Sequence, residues 1–364
     1  MFFFVFSNYN TGSFISIISV FRVEISKMKK TTIAISVLSL CVSASAFAAD
    51  DVLIGSCIYK FDDTFMTGVR MNMQAAAKNN GAEIELVDSM NRQPTQNDQV
   101  DTFITKGVNA LIINPVDRSA ASPLVDKALA ADLPIVFINR EPEKNILDKS
   151  PKAYYVGARA EESGIIGGQL IVDYFKAHPE ADKNGDGVIQ YILLKGEQGH
   201  QDATLRSEYC VKAMQESMKI EEIGADNANW DKVQGHDKMK NFITSKGIET
   251  IEAVLANNDD MALGAIEAIK SEGYNTGDPK KYIPVVGVDA SAPALQAISK
   301  GEMLGTSLND AFNQGTAAVK IAIAAAKGQP VNDETIGYKI TDGKYAWIPY
   351  VKVNAENYKD FMKK

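Results

Sequence analysis

The chain has 364 residues, of which 45% are hydrophobic and 23% charged, with a net charge of −8. That balance is the composition of a folded globular protein, and the acidity argues against nucleic acid or an anionic membrane surface as partner. The length exceeds what one hydrophobic core usually serves, so two domains are expected.

Met28-Lys29-Lys30 precedes the apolar run TIAISVLSLCVSASAFA, which ends on the small-residue site Ala46-Phe47-Ala48. Residues 28–48 therefore read as a signal peptide cleaved near Ala48. The apolar core is too short for a membrane anchor and no stop-transfer pattern follows it. Bulky Leu40 before Cys41, with the cleavage site further on, argues against a lipid anchor. Because a complete signal starts at Met28, residues 1–27 read as an upstream extension from a mis-assigned start. Removing residues 1–48 takes away four basic residues and one acidic one, which leaves −11. Cys57 and Cys210 then remain, far apart and without C-x-x-C spacing. They could pair in an oxidising compartment, but buried free thiols are the expectation.

From Asp51 onward, short Val- and Ile-rich runs alternate with longer segments of helical period, the pattern of a parallel α/β architecture. The strand candidates are 52–58, 83–88, 109–113, 134–138, 188–194, 251–256 and 283–288. Most are apolar throughout, as strands covered by helices on both faces must be. A weak repeat links Phe103-Ile104-Thr105 and its strand NALIINP to Phe242-Ile243-Thr244 and its strand IEAVLANND, and Asn139 and Asp289 fall at matching positions. Two similar open lobes are expected, with polar residues at the strand ends where such sheets bind ligands, and the ligand between the lobes.

The turn after the first strand, IYKFDDTF, carries no G-x-G-x-x-G or G-x-x-x-x-G-K-[ST], so it is not built to cradle phosphates. Asp63 or Thr64 can cap the next helix. Tyr59, Asp63 and Phe65 suit a polyol, in which a carboxylate accepts from hydroxyls and a ring covers the C–H face, although ordinary packing also accounts for the aromatics. Further on, GEQGHQDATLR places His200, Asp202 and Arg206 where they can share one rim at a helix start. No serine or cysteine nucleophile motif accompanies them, and His178, His200 and His236 lack zinc spacing, so hydrogen-bonded binding is more economical than catalysis.

The stretch DKNGDGVIQ begins like an EF-hand loop counted from Asp182, with oxygen-bearing side chains at positions 1, 3, 5 and 9 and Gly187 at position 6. Position 12 is Leu193, and the loop runs from a helix into a strand. Either it is a plain Asp/Asn/Gly turn, or another part of the chain supplies the last carboxylate.

The segments IYKFDDTFM, VFINREP, AYYVGARAEESGIIGGQL, DKNGDGVIQYILLKGEQGHQDATLR, NWDK, LANNDDMALGA, VVGVDAS, GTSLNDAFNQG and IPYVKV resemble, in order from Asp51 to the C-terminus, the periplasmic sugar-binding proteins of ABC transporters, and among them the galactose/glucose-binding branch. The resemblance implies two open parallel-sheet α/β lobes joined by a three-segment hinge near Gly157, Asn309 and Trp347. The lobes would be 49–157 with 310–346, and 158–309 with 347–364. It implies that Tyr59, Asp63, Asn139, His200, Asp202, Arg206, Asn258, Asp289 and Asn309 surround the sugar's oxygens, and that Phe65 and Trp230 cover its two faces. It implies a structural Ca²⁺ held by Asp182, Asn184, Asp186, the Val188 carbonyl, Gln190 and, closing the site from a later strand, Glu252. The partners it implies are a hexose, methyl galactosides among the candidates, and a membrane permease, with a chemoreceptor as a further one; the protein would be a periplasmic monomer and not an enzyme. Gln198 and Gln201 stand where prolines are usual and Phe61 where tyrosine is common, which bears on fine specificity.

Three rivals are weighed against this reading. A sugar-sensing repressor of the same fold needs an N-terminal helix-turn-helix where the signal peptide stands. A secreted sugar-modifying enzyme could use Asp63 with Asp202 as an acid/base pair. A binder of a pentose or a signalling furanose would share the fold.

Overall fold

The computed structural model describes residues 52–362. The expected upstream extension (1–27) and signal peptide (28–48) lie outside the described residues. Strand and helix alternate from the start: β1 (Val52–Ile58), α1 (Thr64–Asn79), β2 (Ala82–Asp88), α2 (Gln93–Lys106), β3 (Ala110–Ile113), α3 (Ser122–Ala130), β4 (Ile135–Ile138) and β5 (Ala153–Gly157). The alternation continues through α4 (Ala160–Ala177), β6 (Val188–Lys195), α5 (Gln201–Gln215), β7 (Lys219–Asn227), α6 (Lys232–Lys246), β8 (Ala253–Ala256) and α7 (Asp259–Ser271). Then come β9 (Val285–Asp289), α8 (Ala292–Ser299), β10 (Gly305–Leu308), α9 (Ala311–Ala326), β11 (Ile340–Thr341), β12 (Tyr345–Trp347) and β13 (Val351–Asn354).

The strands sort into two sheets, ordered β11-β12-β5-β4-β3-β1-β2 and β13-β10-β9-β8-β6-β7. Among the described residues only the β11–β12 and β10–β13 pairs are antiparallel. The central strands β3, β4 and β8 are buried at every residue, because helices cover both faces; hence their sequences are unbroken apolar runs rather than alternating ones. Each sheet has an apolar layer on either face: Ile54, Ile112 and Val136 on one side of the first and Leu111, Ile113 and Phe137 on the other, Ile192 and Val254 against Leu193 and Leu255 in the second. Burying each such side chain contributes about 1.5–3 kcal/mol, which makes each lobe a core of its own.

The chain passes from the first sheet to the second after β5, returns after β10 so that α9 packs beside α1, and crosses again between β12 and β13. Trp347 pairs with Gly157 as the last residue of β12, so it belongs to the first sheet and the third crossing follows it at Ile348–Tyr350 rather than starting the second lobe at 347. In both sheets the strand order reverses beside the first strand of the lobe, between β1 and β3 and between β6 and β8, which opens a crevice at the strands' C-terminal ends.

The seven expected strands are all present, though β8 begins at Ala253 and β9 at Val285. Six strands had no strand candidate in the sequence. The largest, β7, is an edge strand (KIEEIGADN) that is nowhere fully buried, so polar residues break the apolar signal. Cys57 and Cys210 are free and buried, and burial pushes both thiols up to about 12. Among the described residues no helix is long and apolar enough to cross a membrane.

Candidate functional site

The site is assembled from loops that leave the strands at their C-terminal ends. Asp63 ends the turn after β1 and caps α1, its Oδ1 accepting from the Met66 N–H at 2.7 Å while its Oδ2 accepts from the Tyr59 hydroxyl at 2.6 Å. One carboxylate thus fixes the start of the helix and the ring beside it. Asn139 follows β4 with φ +66°, its N–H bonded to the Val156 carbonyl and its own carbonyl accepting from Tyr155 Oη. Asn114 ties these two loops together: it accepts from Tyr59 N and donates from Nδ2 to the Ile138 carbonyl and to Asn139 Oδ1. Asn114 is fully buried and was not foreseen; its place at the end of the NALIINP strand is the one signal that could have marked it.

In the second lobe His200 caps α5, with Nδ1 accepting from Asp202 N at 3.1 Å. That bond leaves the proton on Nε2, and burial next to Arg140, Arg206 and Arg118 holds the imidazole well below its usual range, so His200 is a neutral donor. Its ring meets the Trp230 indole edge-on at 5.0 Å. Arg206, one turn into the helix, donates to the Asn257 carbonyl (2.7 Å), to Tyr350 Oη (2.9 Å) and to Asp202 Oδ2 (3.3 Å). Asn258 caps α7 and donates to the Trp230 carbonyl, and Asn309 donates to Asp289 Oδ1 at 3.2 Å. Burial raises the carboxyls of Asp202 and Asp289, with Arg206 opposing the rise in both. Buried Asp259 accepts from Ser291 N and Thr306 Oγ1, which holds the loop that presents Asp289.

These groups line one cavity between the lobes. The structure brings together all eleven expected residues: Tyr59, Asp63, Phe65 and Asn139 from the first lobe, and His200, Asp202, Arg206, Trp230, Asn258, Asp289 and Asn309 from the second lobe and the hinge. Met66 and Arg140 also line it and were not foreseen; the Arg140 guanidinium lies 3.8 Å from the Tyr59 ring centroid. Trp230 Nε1 and Arg206 Nε are buried with no partner among the described residues, a cost of about 1–3 kcal/mol each that a hydroxylated guest or water would relieve. Asn139, Trp230 and Asp289 all hold left-handed backbone, with φ of 66°, 63° and 124°, strain of the kind retained where a side chain must be aimed. The rings of Tyr59, Phe65, His200 and Trp230, five amide or guanidinium side chains and three carboxylates around one cavity suit a compact polyol.

The loop after α4 gathers the other expected set. Asp182 accepts from the N–H groups of Gly185 and Gly187, both at 2.8 Å, and those glycines take φ of 71° and 75°. Glu252, 1% exposed and just ahead of β8, accepts from Lys183 N (2.6 Å) and Gln190 N (3.1 Å), so it pins the loop to the sheet. Asp186 Oδ2 accepts from Asn184 Nδ2 at 2.9 Å and from Gln190 Nε2 at 3.1 Å. Burial lowers the Lys183 ammonium to about 8, despite its nearness to Glu252. Among the described residues no three His, Cys, Asp or Glu side chains gather as a metal set by themselves. A cation here would need amide and carbonyl oxygens besides the carboxylates.

Comparison with known proteins accords with this geometry. Residues 54–330 match the periplasmic binding protein domain, and the chain belongs to that family. Its place is among the sugar-binding members that serve ABC transporters. It is 41% identical over 341 residues, 92% of this chain and all of the relative, to the D-galactose/methyl-galactoside binding periplasmic protein of Haemophilus influenzae. It is 33% identical to a putative rhizopine-binding protein of Rhizobium meliloti, covering 93% of this chain and all of that one. Among solved structures, an ABC transporter solute binding protein from Bacillus halodurans with bound myo-inositol superposes with a TM-score of 0.73 at 29% identity, covering 87% of this chain and 99% of that one. These relatives are binding proteins rather than enzymes.

Proposed function

We propose that the protein captures galactose and glucose in the interlobe cavity and delivers them to the permease of an ABC transporter from the periplasm, as a monomer. The observation that carries the reading is the convergence of eleven side chains on one cavity. Asp63, Asp202 and Asp289 accept from hydroxyls; His200, Arg206 and the three asparagines donate; Phe65 and Trp230, from opposite lobes, cover apolar faces. A neutral hydrogen bond nets about 0.5–1.5 kcal/mol and one to a charged group about 1.5–3 kcal/mol. Several together exceed the cost of association, at least about 4 kcal/mol. The similarity to a galactose-binding relative favours hexose over pentose. Methyl galactosides are further candidate ligands, and a chemoreceptor is a further candidate partner.

The same reading includes a structural calcium ion. Asp182, Asn184, Asp186, the Val188 carbonyl, Gln190 and Glu252 would hold it. The donor set fits a hard cation, because it consists of oxygen groups and a half-turn of the Asn184 or Gln190 amide exchanges nitrogen for oxygen. The ion would add positive charge between Asp182, Asp186 and buried Glu252, and so tie the loop to β8.

Closure over sugar is the experimental handle. Adding galactose or glucose to the mature protein should change the Trp230 emission and compact the particle in small-angle scattering. A folded protein that responds to neither sugar, or that turns over a galactoside, would overturn the reading.

A further inference from the structure

Four loops that present the cavity residues also touch one another across the cleft. Thr64, next to Asp63, donates from Oγ1 to Asp260 Oδ2 at 2.6 Å, and Asp260 lies two residues beyond Asn258. In a second place, Arg140, next to Asn139, pairs with Glu197 at 3.1 Å. Its neighbour Glu141 accepts from Gln201 Nε2 at 3.2 Å, and Gln201 lies between His200 and Asp202. Each contact joins the first lobe to the second. None of Thr64, Asp260, Glu141, Gln201 and Glu197 lines the cavity.

We infer that these contacts form a latch between the lobes that sets the affinity for sugar by weighting the closed form. The inference rests on the interlobe sugar site proposed above. A contact that exists only when the lobes meet stabilises the closed state alone, so it shifts the open–closed equilibrium whatever sugar is inside. The carboxylates make the shift sharper. Asp260 faces Asp63 across the cleft, and Glu141 faces Asp202 and Glu161, so without their donors they oppose closure. Arg140 is anchored by a 2.6 Å bond to the Val116 carbonyl and by the Tyr59 ring, so it meets Glu197 without first losing side-chain freedom.

The test uses Thr64→Val, Asp260→Ala, Gln201→Met and Glu197→Gln in the full mature protein. Galactose and glucose are titrated by calorimetry, and dyes on the two lobes report the closed fraction with and without sugar. Each substitution should weaken both sugars by the same factor, about 3- to 10-fold, and lower the closed fraction. Thr64→Val with Asp260→Ala should lose no more than either alone. Loss confined to one sugar, or unchanged affinity and closed fraction, would overturn the latch. If the unaltered protein binds no hexose, the sugar reading fails, and the closed fraction without sugar still decides the latch: equal values in variants and parent reject it.

Discussion

Asn139 allows its part in binding to be separated from its part in folding. Its φ of +66° is left-handed, and its loop is held by backbone bonds that do not involve the side chain: N–H to Val156, carbonyl to Tyr155 Oη. Asn139→Gly removes the side chain at a position glycine adopts freely, and Asn114 Nδ2 keeps its bond to the Ile138 carbonyl. Stability should therefore stay within about 1 kcal/mol of the parent. Asn139→Ala removes the same sugar contacts but places a Cβ in left-handed backbone, at about 1–2 kcal/mol. If the side chain makes two hydrogen bonds to sugar, each worth about 0.5–1.5 kcal/mol, both variants should bind galactose about 5- to 150-fold more weakly. Calorimetry gives the affinities, and thermal melts without sugar give the stabilities. Parent-like affinity in both variants would refute the contact, and an alanine variant as stable as the glycine one would refute the backbone argument.

Three further outcomes follow from the same geometry. Glu252→Ala should lower Tm in calcium but not in chelator, since its value then lies in closing the ion site; equal losses in both reject the site. Burial raises the Asp259 carboxyl from 3.8 to about 7, so the folded state keeps a proton that the unfolded chain gives up near pH 4. Its contribution is present at low pH and is lost as pH rises through about 7. Denaturant melts of Asp259→Asn should accordingly lose less stability than the parent between pH 4 and 7, and parallel curves would exclude that source. Trp230→Ala should abolish the sugar-induced change in emission and weaken galactose by about 3–5 kcal/mol at most, the range for removing a buried aromatic, as read by calorimetry.

Much of this fold was legible because its central strands are buried on both faces and hence apolar throughout, β3 and β4 most plainly. Edge strand β7 was not, since its polar residues face water, and β11 to β13 are too short to carry a period. Cavity residues such as Asp63 and Asn258 are legible twice over, as helix caps and as polar punctuation after apolar runs. Arg140 could be seen only as a charge beside Asn139, because its role depends on the Tyr59 ring and on Glu197 in the other lobe. The same limit applies to Thr64 and Asp260, which are 196 residues apart and meet only through lobe closure. Left-handed backbone at Trp230 is not legible in the sequence because nothing in a tryptophan's chemistry announces it; Asn139 at least is a residue that tolerates it.

Selection of a hexose by the cavity between the lobes is decided by calorimetric titration of the mature protein with galactose, glucose, ribose and xylose, with and without chelator. Saturable one-to-one binding of galactose and glucose, with ribose and xylose at least tenfold weaker, is the predicted result. Tighter binding of ribose or xylose, or heat from none of the four with a folded protein, would contradict it.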